Sequence, residues 1–156
     1  MPSNRTHPAG FVGPRCLTGV AQGGTYEVTA FDNLATDLKT GACQKIGGNL
    51  LILCAQAGND ASRIKNLDFL SEVHTITGYL KIQGCGHLTN IDGLSKLKKI
   101  GGTPTIALEI SGNTNLTDIK GLENLEEITL GKPAVRIRRN ENLCYADLMD
   151  WPVKEP

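Results

Sequence analysis

The sequence has few aromatic residues, no surplus of charge of one sign and no long apolar run, and each absence removes a class of protein. Sixteen basic and sixteen acidic residues balance to a formal charge of +0, whereas a nucleic-acid-binding domain usually carries a basic excess. The longest uninterrupted apolar run, residues 50–55, is far too short to span a membrane. We therefore expect neither nucleic-acid binding nor direct membrane insertion. Aromatics are 4% of the 156 residues and glycine contributes 18, which favours a leucine and isoleucine core built from many short elements.

The cysteines and histidines follow no spacing that is typical of a metal site. The five cysteines are Cys16, Cys43, Cys54, Cys85 and Cys144. None lies in a Cys-x-x-Cys pair, which removes the usual zinc-knuckle and thioredoxin patterns. A zinc site built from Cys54, Cys85 and His87 is conceivable, but it departs from the usual ligand spacings. The chain also lacks a phosphate-binding GxxxxGK[ST] loop and a nucleophile motif, so we expect no metal, no cofactor and no catalysis.

Internal repetition is the strongest signal in the sequence. Residues 88–100, LTNIDGLSKLKKI, share seven of thirteen positions with residues 116–128, LTDIKGLENLEEI, at an offset of 28. A short alternating strand follows each copy, and residues 46–52 match residues 76–82 in the pattern IxGxLxI. The strand ends recur at Ile52, Ile82, Ile110 and Ile137. A period of this length predicts a solenoid, in which each coil buries its apolar side against the next.

Parallel stacking of the coils predicts which residues lie over one another. Equivalent residues should be about 4.8 Å apart. One inward column would then contain Leu50, Leu80, Leu108 and Val135. The same register places Lys98 and Lys99 opposite Glu126 and Glu127, and Asp92 opposite Lys120. Exposed pairs of this kind contribute only some tenths of a kcal/mol each, but they favour this register over a slipped one.

An amphipathic helix is predicted ahead of the solenoid. Thr25 can cap it and Gly41 can end it. One face would carry Val28, Phe31, Leu34 and Leu38. We expect this apolar stripe to cover the open end of the first coil, as terminal repeats require.

Three segments resemble the receptor L domain of the insulin receptor and EGF receptor ectodomains. They are CQKIGGNLLI at residues 43–52, FLSEVHTITGYLKI at residues 69–82, and VRIRRNENLCYADLMDW at residues 135–151. The last segment is the most specific. The resemblance implies a mainly β fold, a right-handed parallel β-helix or leucine-rich-repeat-like solenoid with an N-terminal capping helix. It covers residues 16–151 and leaves residues 1–15 as a flexible N-terminal segment and residues 152–156 as a C-terminal tail.

The resemblance also bears on the cysteines. It implies a disulfide across the N-terminal helix, which Cys16 and Cys43 fit. Family members pair the cysteine near the carboxyl end with one beyond the L domain, so we interpret Cys144 as unpaired in an excised or truncated module. Cys54 and Cys85 depart from the family pattern. They follow equivalent strands one coil apart, within bridging range, so we expect a second disulfide there, with two buried thiols as the alternative.

The resemblance assigns ligand binding to one sheet. If leucine and isoleucine point inward, the alternate strand residues point outward. By resemblance, the residues of this ligand-binding face are Leu51, Lys81, Gln83, Glu109, Arg136 and Arg138. A solvated sheet face is the alternative, and the lack of aromatic anchors weighs against tight hormone binding.

We therefore predict a non-enzymatic, extracellular module that recognises a protein ligand or receptor partner and is monomeric on its own. The alternative is a secreted or cell-surface L-domain protein without a kinase, acting as a decoy, adhesion or wall component. A β-helix carbohydrate enzyme would use stacked carboxylates such as Asp68 and Asp92, but Lys120 falls in the same column.

The sequons at Asn4 and Asn115 are candidate glycosylation sites, whereas Asn113 and Asn140 are predicted to satisfy backbone groups at corners.

Mass spectrometry with a thiol-alkylating reagent checks the cysteine assignment. Two intramolecular disulfides and one free thiol are expected, so the unreduced protein should take up one label and the reduced protein five. Five labels without reduction, in protein made under oxidising conditions, would contradict an extracellular module.

Overall fold

Nine short β-strands in the described part of the chain form two parallel sheets. The computed structural model describes residues 25–28, 44–54, 64–101, 106–128 and 135–144. The strands are β1 (Thr25–Val28), β2 (Lys45–Ile46), β3 (Asn49–Leu53), β4 (Thr75–Ile76), β5 (Leu80–Gln83), β6 (Lys99–Ile100), β7 (Leu108–Ser111), β8 (Glu127–Ile128) and β9 (Val135–Arg138). One sheet has the order β1-β3-β5-β7-β9 and the other β2-β4-β6-β8. Each coil from β2 onward thus gives one strand to each sheet, which is the mainly β solenoid that the repeat predicted.

The strand register confirms the predicted stacking. Leu50 pairs with Leu80, Leu80 with Leu108, and Leu108 with Val135. The isoleucines of the same strands pair in a second column. Leu50, Leu80 and Leu108 are fully buried, so the core is a set of apolar columns that run from coil to coil.

A one-turn 3-10 helix forms the third side of three successive coils. The three turns are Asp68–Leu70, Asp92–Leu94 and Lys120–Leu122. A side chain two residues ahead accepts a hydrogen bond from the first N–H of each turn. The pairs are Asp68 with Asn66 (3.1 Å), Asp92 with Asn90 (3.1 Å) and Lys120 with Asp118 (3.0 Å). The repeated Asn or Asp therefore fixes where each turn begins.

Glycine lets two of these turns lie directly against the preceding coil. A Cβ atom on Gly93 would lie 1.9 Å from the carbonyl oxygen of Leu67, and one on Gly121 would lie 1.9 Å from that of Ile91. No side chain fits in that space. Phe69 occupies the equivalent position in the first turn, where it is buried.

A ladder of buried asparagines closes the corner after the five-stranded sheet. Asn113 Oδ1 accepts the N–H of Cys85 at 2.9 Å, and Asn113 Nδ2 donates to the Ile82 carbonyl at 3.2 Å. Asn140 repeats both contacts one coil later, accepting the N–H of Asn113 at 3.0 Å and donating to the Ile110 carbonyl at 3.0 Å. The predicted structural role of both asparagines is confirmed.

The same corner holds a disulfide. Gly84, Gly112 and Arg139 occupy equivalent positions and share a left-handed backbone, with φ of 70°, 68° and 56°. In the first coil that position is Cys54, which is bonded to Cys85 across a Cα–Cα distance of 4.8 Å. The predicted bridge is therefore present, and both cysteines are buried.

The predicted helix from Thr25 is wrong for its first four residues. Thr25–Val28 form β1, which pairs in parallel with β3. Thr, Tyr and Val favour extended backbone, and pairing satisfies the edge of β3 in a way that a helix cannot.

The rest of the predicted helix, residues 29–41, lies outside the described residues, as do Asn4 and the proposed Cys16–Cys43 bridge. No α-helix occurs in the described ranges, and accordingly none there is long and apolar enough to cross a bilayer.

Ion pairs between neighbouring coils follow the predicted register. Three exposed pairs are Lys96–Glu72 (2.6 Å), Lys98–Glu126 (3.0 Å) and Lys99–Glu127 (3.1 Å). The hydrogen bond from Lys96, with its charge, lowers the pKa of Glu72. Asp92 and Lys120 begin equivalent turns, but no ion pair joins these two described residues.

Replacing Gly121 by alanine should push two coils apart. The added methyl would lie 1.9 Å from a backbone oxygen, and overpacking of this kind costs about 2 kcal/mol. We expect a fall in melting temperature of roughly 4–8 °C for Gly121→Ala, measured by circular dichroism. Gly86→Ala is the matched control, since its Cβ would meet only the Thr114 hydroxyl at 3.6 Å. Equal melting temperatures for the two variants would contradict the close-packed turn.

Candidate binding face of the five-stranded sheet

Two rows of outward residues run across the five-stranded sheet, and together they define the outer face. Cα register and strand alternation place the predicted residues in these rows. The first row is Leu51, Lys81, Glu109 and Arg136, and the second is Leu53, Gln83, Ser111 and Arg138. The structure therefore brings all six predicted binding residues together on one surface.

The exposure of these six residues varies across the face. Gln83, Arg136 and Arg138 are exposed, and Leu51 is partly exposed. Glu109 is buried, with its side chain only 7% exposed. Glu109 points away from the core, as alternation predicts, but it is buried because cationic side chains of the neighbouring strands approach it from both sides.

Glu109 is held by three side chains. Its Oε2 lies 3.7 Å from Lys81 Nζ, and its Oε1 lies 3.2 Å from Arg138 Nη2. The Ser111 hydroxyl donates to the same Oε1 at 3.3 Å. A buried carboxylate needs such partners to offset its lost hydration. In return, Glu109 draws the cations of β5 and β9 toward the middle of the sheet.

The outer face consequently changes in character from one end to the other. At β3 it presents Leu51 and Leu53, both partly exposed. At β9 it presents the exposed Arg136 and Arg138, with the Arg138 side chain 57% exposed. From β3 to β9 the one acidic residue of these rows, Glu109, is buried, so a partner would meet apolar surface beside positive charge on these four strands.

Tyr79 is a residue of this surface that the sequence reasoning missed. It precedes Leu80, so alternation places it on the same side as Lys81, and it is partly exposed. Its N–H donates to Asn49 Oδ1 at 3.1 Å, which ties it to the preceding coil. The alternation that placed Lys81 on this surface also places Tyr79 there, because Tyr79 lies two residues earlier in the chain. The face therefore has an aromatic side chain at its border, of the type that is enriched at protein interfaces.

The other candidate residues do not assemble into a reaction centre. Cys54 and Cys85 share a disulfide, so they supply no thiolates and the Cys54/Cys85/His87 zinc alternative is wrong. Among the described residues, no group of His, Cys, Asp and Glu is arranged to hold a metal ion. Asp68 and Asp92 lie exposed at the starts of their 3-10 turns, where the N–H of each donates to the side chain two residues earlier.

Two candidate modification positions lie on the corner beyond the sheet. Asn115 is exposed, and its Nδ2 donates to the Gly86 carbonyl at 2.5 Å. Cys144 is exposed and has a free thiol, as predicted. The sugar occupancy of Asn115 stays a prediction.

Comparison with known families decides the classification. The sequence model of the family described as Receptor L domain matches residues 42–155. The chain belongs to the receptor L domain family. The match confirms the resemblance of the three segments for the greater part of the chain. Receptor L domains are ligand-binding, non-catalytic modules.

Glu109→Gln should lower the free energy of unfolding of this L domain, because it removes the charge between two cations while keeping the side chain's size. We expect a loss of about 1–2 kcal/mol, because Lys81 and Arg138 remain partly in water. Urea unfolding at neutral pH measures it. The control is Glu126→Gln, whose exposed pair with Lys98 should contribute less than about 0.5 kcal/mol. Equal losses for the two variants would contradict the special position of Glu109.

Proposed function

We propose that this L domain is a non-enzymatic, extracellular recognition module that binds a protein partner on the outer face. The observation that carries the proposal is the arrangement around Glu109. A buried carboxylate fixes Lys81 and Arg138 on two strands, beside the partly exposed Leu51 and the exposed Arg136. Apolar area next to oriented charge suits a protein surface of complementary pattern.

The rigidity of the scaffold supports the same function. The strands of this sheet are joined by parallel pairing from β1 to β9, and the inward side chains of β3, β5 and β7 are buried. Little ordering entropy is lost when such a surface binds. The four strands β3, β5, β7 and β9 extend over about 14 Å at the usual spacing, which is wide enough for a peptide segment or the edge of a folded partner.

An extracellular setting is supported by the Cys54–Cys85 disulfide, because disulfides persist mainly in oxidising compartments. We propose that the domain extends over residues 16–151, acts as a monomer, and carries a second bridge between Cys16 and Cys43. The alternative parent is a secreted or cell-surface protein without a kinase. The coding sequence that follows residue 156 distinguishes the two, since a Cys-rich region, a membrane span and a kinase would support a receptor.

The double variant Leu51→Ser with Arg136→Ser tests the outer face. It removes one apolar and one cationic side chain without touching the three side chains that hold Glu109. We expect capture of protein partners from extracellular fluid to fall at least about tenfold, which corresponds to about 1.4 kcal/mol, while the melting temperature changes little. Quantitative mass spectrometry of the captured proteins measures the loss.

The matched control is Lys65→Ser with Lys98→Ser, which changes two exposed residues outside the outer face. Partners that bind the outer face should be retained by this control. Equal capture by the wild type and by the Leu51→Ser, Arg136→Ser variant would reject the outer face as the binding surface.

A further inference from the structure

β9 is the last strand of the five-stranded sheet, and in the described ranges it pairs only with β7. The N–H of Gly112 donates to the carbonyl of Arg138 at 3.2 Å, so Arg138 directs its backbone groups toward β7. In a parallel strand the N–H and C=O of one residue point to the same side, and alternate residues point to opposite sides. Val135 and Ile137 therefore direct their N–H and C=O groups away from the sheet.

Within the described residues, the last members of the apolar columns, on β9, are also less covered than the earlier ones. Val135 is 42% exposed and Ile137 is only partly buried. Their counterparts one coil earlier, Leu108 and Ile110, are fully buried. The last coil thus offers the same apolar ridge that every earlier coil covers with the next one.

Charge along the solenoid follows a consistent rule. Five ion pairs join neighbouring coils, each with a cation on one coil and a carboxylate on the next. The pairs are Lys96–Glu72, Lys98–Glu126, Lys99–Glu127, Lys81–Glu109 and Arg138–Glu109. Arg136 and Arg138 end the series on the five-stranded sheet. A further strand laid on β9 would continue the rule if it placed carboxylates opposite these two arginines.

We propose that the β9 edge binds an extended protein segment in which apolar and acidic residues alternate, added as a sixth parallel strand. Its apolar side chains would cover Val135 and Ile137, and its carboxylates would lie beside Arg136 and Arg138. Its backbone would pair with the free groups of Val135 and Ile137. A polysaccharide is disfavoured, because it lacks the periodic N–H groups and apolar side chains that this edge complements.

Synthetic peptides test the edge directly. The probe is a capped octapeptide of alternating valine and glutamate. The controls are a valine–lysine peptide and a valine–glutamate peptide that is N-methylated at every second residue, prepared in both frames. We expect saturable calorimetric binding of the probe that weakens with added salt, and at least tenfold weaker binding of the valine–lysine peptide and of at least one N-methylated frame. Hydrogen exchange at the amides of Val135 and Ile137 should slow at least tenfold when the probe is bound.

Two protein variants separate this edge from the outer face. Val135→Pro removes an edge donor at the first residue of an edge strand, where proline is tolerated, and should abolish probe binding while leaving capture by the outer face unchanged. Arg136→Gln with Arg138→Gln should weaken the probe at least tenfold and remove its salt dependence. If the outer-face test fails and the probe still binds, the outer face is rejected and the binding role of the β9 edge is retained.

Three results would overturn the proposal. Equal binding of the probe and both N-methylated frames would show that the edge groups are unused. Equal binding of the valine–lysine peptide would show that the arginines only guard the edge against pairing. Self-association in sedimentation that the probe reverses would assign the edge to a second copy of the chain.

Discussion

The structure depends on the hydrogen-bonded spacing of successive parallel coils. Parallel pairing sets that spacing near 4.8 Å, and every column of side chains must fit within it. Where two coils approach closely, as at Gly93 and Gly121, a Cβ would meet a carbonyl oxygen at 1.9 Å. Where the coils are wider, leucine and isoleucine fill the space and are fully buried. A change of coil length alters which residues stack, so the repeat in the sequence is a consequence of the spacing.

The same spacing accounts for the polar columns. Asn113 and Asn140 lie one above the other, and each amide both accepts from and donates to the backbone of the preceding coil, which satisfies groups that would otherwise be buried without partners. Cys85 takes the next position of that column and gives its N–H to Asn113. A thiol side chain cannot reproduce the two-way hydrogen bonding of an amide, and at this position the coils are joined by the covalent bond to Cys54 instead.

Sequence reasoning succeeded where a contact depends on the period alone. The columns through Leu80 and Ile82, the lysine–glutamate pairs and the Cys54–Cys85 bridge all follow from the offset between copies. It failed where exposure depends on what a neighbour's side chain does. Alternation correctly turns Glu109 away from the core, but the reach of Lys81 and Arg138 over the sheet buries it.

The predicted helix from Thr25 failed for a related reason. Its apolar spacing is compatible with a helix, yet pairing with the open edge of β3 stabilises an extended backbone in four of its residues. Tertiary pairing overrides a local pattern of this length. The repeat could not reveal β1, because Tyr26 pairs with Leu50 at a separation of 24 residues, shorter than the 28-residue offset between the two clear copies.

The properties that make the coils stack also determine what the domain offers to a partner. A side chain in the middle of the solenoid has a neighbour on each side, so charges such as Glu109 are neutralised within the molecule. The side chains that remain available to a partner are those that no neighbouring coil neutralises or covers. Arg136 lies on β9 and is exposed, and Leu51 lies on β3 and is partly exposed. The proposed recognition would therefore use side chains that neighbouring coils leave uncovered within the described part of the stack.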